Sequence, residues 1–172
     1  MEIIMSDYMN TGLENFKLRF AEEKDTALIL AFIKELADYE HMLDKVVATE
    51  DSLKESLFMK KAAEVIIGEY EGTPVGFALF FHNYSTFLGQ AGIYLEDLYV
   101  RPEMRGRGMG KIFLSFLAKL AQERNCGRLE WWVLDWNEPS IRFYKKMGAM
   151  PMDEWTVYRV TGPELEKLAR RF

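Results

Sequence analysis

Arg105-Gly106-Arg107-Gly108-Met109-Gly110 is the run whose residue types and spacing ask most directly for a ligand. Glycines at alternate positions let successive backbone N–H groups turn inward as a nest and let an anion approach the chain closely. A predicted strand ends at Val100 and a predicted helix starts near Lys111, so the positive end of a helix dipole falls on the same spot. From Arg101 to Lys111, four basic residues (Arg101, Arg105, Arg107, Lys111) stand against Glu103 alone, a local charge of +3 in a chain of net charge −5. A pyrophosphate suits such a loop. Two familiar phosphate loops fail on spacing. A P-loop needs glycine where Arg105 stands and Ser or Thr where Ile112 stands. The dinucleotide fingerprint needs G-x-G-x-x-G, whereas Gly106, Gly108 and Gly110 are spaced G-x-G-x-G.

The same run resembles the R/Q-x-x-G-x-G/A loop of the GNAT (Gcn5-related N-acetyltransferase) superfamily. Tyr94-Leu95-Glu96-Asp97-Leu98-Tyr99-Val100, Asp135-Trp136-Asn137-Glu138-Pro139-Ser140-Ile141-Arg142-Phe143-Tyr144 and Lys34-Glu35-Leu36-Ala37-Asp38-Tyr39-Glu40 resemble the spermidine/spermine (diamine) and thialysine N-acetyltransferases. The likeness runs from about Lys17 to the end of the chain. It implies an α/β GNAT fold, a mixed central β-sheet flanked by helices on both faces. It also implies an enzyme that takes acetyl-CoA as cosubstrate and needs no metal. The pyrophosphate would lie on Arg105, Gly106, Arg107, Gly108, Met109, Gly110 and Lys111. The thioester carbonyl would lie against the backbone of Leu98, Tyr99 and Val100, where the family's strand splays. Asn137, Ser140 and Tyr144 would complete the cofactor contacts.

Acetyl transfer from a thioester to an amine needs a neutral amine, a polarised carbonyl and a proton for the departing thiolate. On an extended strand Glu96 shares a face with Tyr94, Leu98 and Val100, an apolar setting that would raise its pKa toward that of a useful base. A buried carboxylate paired with a basic neighbour is the alternative, and the resemblance assigns Glu96 the role of base. Tyr144 reads either as core packing beside Phe143 or, by resemblance, as the acid that protonates the thiolate. Asn137 reads as a helix N-cap, a role compatible with a cofactor contact. The single Cys126 gives no support for an acetyl-cysteine intermediate, so direct transfer in a ternary complex is expected. By resemblance, Tyr39 and Glu40 line the amine site. Glu96, Asp97 and Glu154 add carboxylates to it, and Trp132 and Trp155 border it. Glu35 and Asp38 read as a solvated helix face, and the four tryptophans as mainly core anchors. Asn83-Tyr84-Ser85-Thr86-Phe87 has no acid, whereas polyamine-specific members carry aspartate and tryptophan there. The run is closer to the Tyr-Ser-Thr-aromatic segment of the thialysine type, which favours a shorter amine.

These residues need a scaffold, and periodicity predicts one. Strands are expected over 17–20, 64–70, 75–81, 93–100, 128–134 and 155–160, the last closing the sheet. A turn at Glu71-Gly72-Thr73-Pro74 joins the second and third. Helices are expected from Asp25 to Tyr39, after an N-cap at Thr49, over 111–125, from Asn137 to Met147, and after a capping box of Thr161 with Glu164. The domain reading is an N-terminal arm over 1–16 and a single acetyltransferase domain over 17–172.

Length and composition agree with one such domain: 172 residues, 49% hydrophobic and 28% charged. One cysteine with His41 and His82 builds neither a disulfide nor a Cys/His metal site. The acidic balance argues against nucleic acid as partner and suits a small cationic amine. The longest apolar run, 27–33, cannot span a bilayer, and no secretory signal opens the chain, so a cytoplasmic protein without membrane partner is expected. A homodimer is implied by the resemblance. Two rivals stand: an acetyltransferase acting on protein or peptide amines, and a non-catalytic acetyl-CoA-binding regulatory module.

Overall fold

The computed structural model describes residues 8–172, in two units: one ending at Trp132 and one of Val133–Phe172. Alternating apolar residues build the sheet of the first unit, in the order β1 (Met9–Asn10), β2 (Phe16–Phe20), β3 (Glu64–Tyr70), β4 (Thr73–Ser85), β5 (Gln90–Val100) and β6 (Leu129–Trp131). All neighbours are antiparallel except β5 and β6. The mixed sheet with helices on both faces is the expected GNAT architecture.

On one face α1 (Thr26–Tyr39) and α2 (Glu50–Leu53) set Ile29, Phe32 and Leu53 against Ile67, Phe77, Leu79 and Tyr99. The expected Thr49 cap forms: its hydroxyl oxygen accepts from Ser52 N at 3.1 Å, and Ser52 Oγ accepts from Thr49 N at 2.9 Å. On the other face α3 (Met109–Glu123) brings Phe113 edge-on to Phe16, ring centres 6.0 Å apart. Gly68 leaves room for both rings, since a Cβ there would lie 2.7 Å from each.

The β3–β4 turn is tighter than expected. Glu71 and Gly72 (φ +50° and +78°) form a two-residue turn of the kind that matches strand twist, and Thr73 and Pro74 already belong to β4. Within the stretch read as an arm, Met9 and Asn10 pair with Leu18 and Lys17, and the Tyr8 hydroxyl donates to Glu69 at 3.0 Å.

The second unit holds α4 (Glu138–Lys146) and α5 (Gly162–Ala169). Four expectations fail here and next to it. Among the described residues, 155–160 joins no ladder. Its β-rich composition alone does not make a strand, which needs a neighbour to pair with. β6 stops at Trp131 instead of 134. Thr161 stands at the N-cap of α5 without a side-chain hydrogen bond, because Gly162 takes φ +55° and turns the first residue away from helical geometry. Trp132, Trp136 and Trp155 are 57%, 50% and 73% exposed, so they are not core anchors.

One ion cluster ties β2 to β3 and to the start of α1. Arg19 donates to both oxygens of Asp25, at 2.7 and 2.9 Å, and through Nε to Glu69 at 2.7 Å, all three side chains buried. Removing the cation would leave two buried carboxylates without it. Arg19→Ala is therefore expected to cost about 3–5 kcal/mol in urea unfolding, and Asp25→Asn with Glu69→Gln in that background should recover part of the loss.

Candidate active site

The site is built around the end of β5. From Gly76↔Val100 to Leu79↔Asp97 the strands β4 and β5 keep one register, and pairing resumes at Phe80↔Leu95. Glu96 is thus the extra residue of a β-bulge, which breaks the alternation assumed from sequence. Glu96 is exposed, and its placement on a buried apolar face fails for this reason. Asp97, opposite Leu79, takes the inner position instead, on the face that α1 covers. Burial first, then the negative charges of Glu96 and Glu40, push the Asp97 carboxyl up to about 7.

Tyr94 lies opposite Phe81, on the same face as Leu79 and Asp97. Its ring packs on Phe81 at 5.1 Å and edge-on to Trp132 at 5.7 Å. Glu40 follows the last residue of α1, and burial raises its carboxyl above the usual range. The structure therefore brings Glu40, Glu96 and Asp97 close enough for their charges to interact.

At the other end of the same stretch of β5 stands the glycine loop. Gly106 and Gly108 have φ +77° and +86°, and nothing lies within 4 Å of where their side chains would be. Gly108 is the N-cap of α3, which starts at Met109, two residues before the expected start, because the left-handed glycine lets buried Met109 enter the helix as its first residue. The first-turn N–H groups, which have no carbonyl one turn back, open onto that space beside Arg105, Arg107 and Lys111. This cradle fits a pyrophosphate.

Two arginines fix the loop to the sheet and to α1. Arg101 clasps Glu35 at 3.1 and 2.9 Å, donates to Pro74 O at 3.1 Å and stacks on Phe32 at 5.0 Å. Glu35 is therefore a strut and not part of a solvated face, whereas Asp38 is exposed. Burial, and then Glu35, raise the Tyr99 phenol above its ordinary value. Arg105 donates through Nε to Val100 O at 2.7 Å and lies over the rings of Tyr39, at 4.7 Å, and Tyr99, at 5.5 Å. Arg105 was picked out from sequence as the first residue of the basic glycine loop, and nothing in the spacing announced its place on Tyr39. Gly76 has a backbone reason: a Cβ there would strike the Tyr99 carbonyl.

The parallel ladder between β5 and β6 ends at Leu95↔Trp131 while β5 continues through Leu98 and Tyr99 to Val100. β6 therefore ends before the part of β5 that the resemblance assigns to the donor.

Asn137, Ser140, Tyr144 and Glu154 lie in the second unit. Buried Asn137 caps α4 as expected, its Oδ1 accepting from Ser140 N at 3.4 Å. Tyr144 is half-buried with its ring 5.4 Å from that of Phe143, and Glu154 is exposed. Among the described residues no group of three or more His, Cys, Asp or Glu side chains could hold a metal ion, and no helix is long and apolar enough to cross a membrane.

Comparison with known proteins gives the chain a family. The acetyltransferase (GNAT) family model matches residues 29–149. Bovine (Bos taurus) thialysine N-epsilon-acetyltransferase is 37% identical over 164 residues, covering 88% of this chain and 96% of that protein. An L-ornithine N5-acetyltransferase of Arabidopsis thaliana is 40% identical over 119 residues, 69% of this chain and 49% of that protein. Among solved structures, an integron cassette protein from the V. cholerae mobile metagenome superposes with a TM-score of 0.76 at 27% identity, covering 91% of this chain and 98% of that one.

The half-buried Asp97 carboxyl has a measurable consequence. Asp97 ionises less readily folded than unfolded, so the folded state loses stability as pH rises from the ordinary carboxylate range to about 7. Asp97→Asn escapes that loss. It is expected to stabilise the protein by roughly 2 kcal/mol at pH 8 and by much less at pH 4, read from thermal melts at both pH values.

Proposed function

The chain belongs to the acetyltransferase (GNAT) family, and from that membership we propose that it moves acetyl from acetyl-CoA to a primary amine of a small cationic metabolite, of the size of a lysine analogue or a diamine. The observation that carries this reading is the pairing, at the end of one strand, of a basic glycine cradle with an acidic group. Arg105 to Gly110 suit a pyrophosphate, and Glu40, Glu96 and Asp97 suit an ammonium.

The donor supplies an activated acetyl thioester. On the protein side, the open N–H groups at the start of α3 and the charges of Arg107 and Lys111 hold the phosphates. Backbone groups of Leu98, Tyr99 and Val100 take the pantetheine arm and the thioester carbonyl, as the resemblance implies. The resemblance assigns Asn137 and Ser140 to the donor as well. Tyr39, Glu40, Glu96 and Asp97 receive the amine, the resemblance adds Trp132 and Glu154, and Glu96, the base that the resemblance assigns, takes the ammonium proton. The Tyr144 hydroxyl then donates a proton to the departing sulfur.

Transfer is direct within a ternary complex. Cys126, the lone thiol, lies past the C-terminus of α3, a helix about 22 Å long whose other end carries the glycine cradle. The likeness to thialysine and ornithine acetyltransferases supports a short amine over a long polyamine. The acid-free run from Asn83 to Phe87, with Phe87 94% exposed, points the same way.

A thiol-release assay with acetyl-CoA tests the reading against thialysine, ornithine, lysine, putrescine, spermidine, spermine and a basic peptide. The expected result is turnover with the highest kcat/KM on one of the short amines. A peptide preference would move the substrate class to protein amines, and acetyl-CoA binding without turnover on any amine would contradict the enzyme. In the same assay Tyr144→Phe is expected to lower kcat by about 100-fold or more, the usual scale for a lost general acid, with acetyl-CoA affinity changed no more than a few-fold.

A further inference from the structure

We propose that Arg105, beyond its place in the phosphate loop, is a positioning residue of the amine site: its guanidinium holds Tyr39, and with it Glu40, where an incoming cation meets them. The inference rests on the acetyl-transfer reading above and adds to it a residue of the donor loop that acts on the other substrate. Its ground is the way α1 ends. Beyond Glu40 the chain turns back through His41, at φ +60°, with Met42 N donating to Ala37 O at 2.7 Å and His41 N to Asp38 O at 3.0 Å. This is the doubly bonded helix stop that usually carries glycine, and a side chain at its left-handed position makes it costlier. Fraying of the stop would move Tyr39, the last helical residue, and Glu40 after it. The position of Glu40 matters to the site, since its charge acts on Asp97. The tie of Arg101 to Glu35 holds the helix one turn earlier.

Arg105 supplies the tie at the helix end itself. Its Nε donates to Val100 O at 2.7 Å, which fixes the side chain to the end of β5 and leaves the flat face of the guanidinium for rings. The guanidinium carbon lies 4.7 Å from the Tyr39 ring centre and 5.5 Å from that of Tyr99. Tyr99 is buried and packs 6.2 Å from Phe32, so it is the fixed side of the arrangement, and half-buried Tyr39 is the side that is held. The positive charge also lies at the C-terminal end of α1, where it complements the helix dipole. A guanidinium stacks through its plane and donates from its edges, so one residue can serve the donor's phosphates and the amine-side ring together.

Steady-state kinetics with the preferred short amine at saturating acetyl-CoA separate this role from a donor contact. Arg105 is exposed, so Arg105→Lys leaves the core untouched; it keeps the charge and loses the stacking plane. It is expected to raise the KM for the amine by about fivefold, with kcat within about twofold of wild type. In a Tyr39→Leu background, which offers no ring on α1, Arg105→Lys should raise KM no further. In a Tyr39→Phe background, which keeps the ring, it should cost what it costs in wild type. An Arg105→Lys enzyme with unchanged amine KM and weakened acetyl-CoA binding would make Arg105 a donor contact alone and overturn the proposal. Independent effects of Arg105→Lys and Tyr39→Leu, multiplying in the double variant, would overturn it too. Absence of wild-type turnover on every amine would overturn the acetyl-transfer reading and this proposal with it, and is told apart by leaving no KM to compare.

Discussion

Glu96 has no partner residue on β4, and the shift of register that it forces decides where charge stands in this protein. Before the bulge, Ile93 and Leu95 pack into the sheet's interior. After it, Asp97 and Tyr99 face α1, and the strand runs on past its last pairing with β6. A single inserted residue therefore places one carboxyl on the face that α1 covers and turns a second one to water. Together with Glu40 the two carboxylates gather negative charge at this end of the strand. The irregularity is confined to one residue, because the rest of β4 and β5 stays in register around it.

The bulge works only if the end of β5 is held, and two arginines of similar sequence context do that by different physics. Arg101 is locked by a bidentate ion pair to Glu35, half-buried and therefore less screened than a surface pair. Arg105 spans the exposed side, bonded to the Val100 carbonyl and stacked on Tyr39 and Tyr99. The last turn of α1 is thus fastened to the loop that suits the phosphates, and Tyr39 and Glu40 are carried with it. Donor and acceptor ends of the site share one mechanical frame.

Most of the strands, the helices and the glycine loop were legible in the sequence because each rests on a local rule: alternation, helical spacing, or glycine at a left-handed turn. The acidic trio was legible as a set. What was hidden was which of its carboxylates faces α1, since a bulge leaves no mark in residue type and the alternation of Tyr94, Glu96 and Leu98 reads as an unbroken strand. Glu35 was misread for a related reason, its partner lying 66 residues away on Arg101. The segment 155–160 shows the converse, where strong strand composition is present without the pairing that makes a strand. The exposed Trp132, Trp136 and Trp155 show that size and apolarity alone do not place a ring in the core.

The claim at the centre of this account is that one end of β5 organises a phosphate cradle and an acidic amine site for the same reaction. A crystal structure with a bisubstrate analogue, CoA joined through its acetyl group to the preferred short amine, tests it most directly. The account predicts the pyrophosphate against the N–H groups of residues 106–110 and the amine nitrogen within hydrogen-bond reach of a carboxylate of the acidic group. An analogue whose phosphates lie elsewhere, or whose amine points away from Glu40, Glu96 and Asp97, would contradict it.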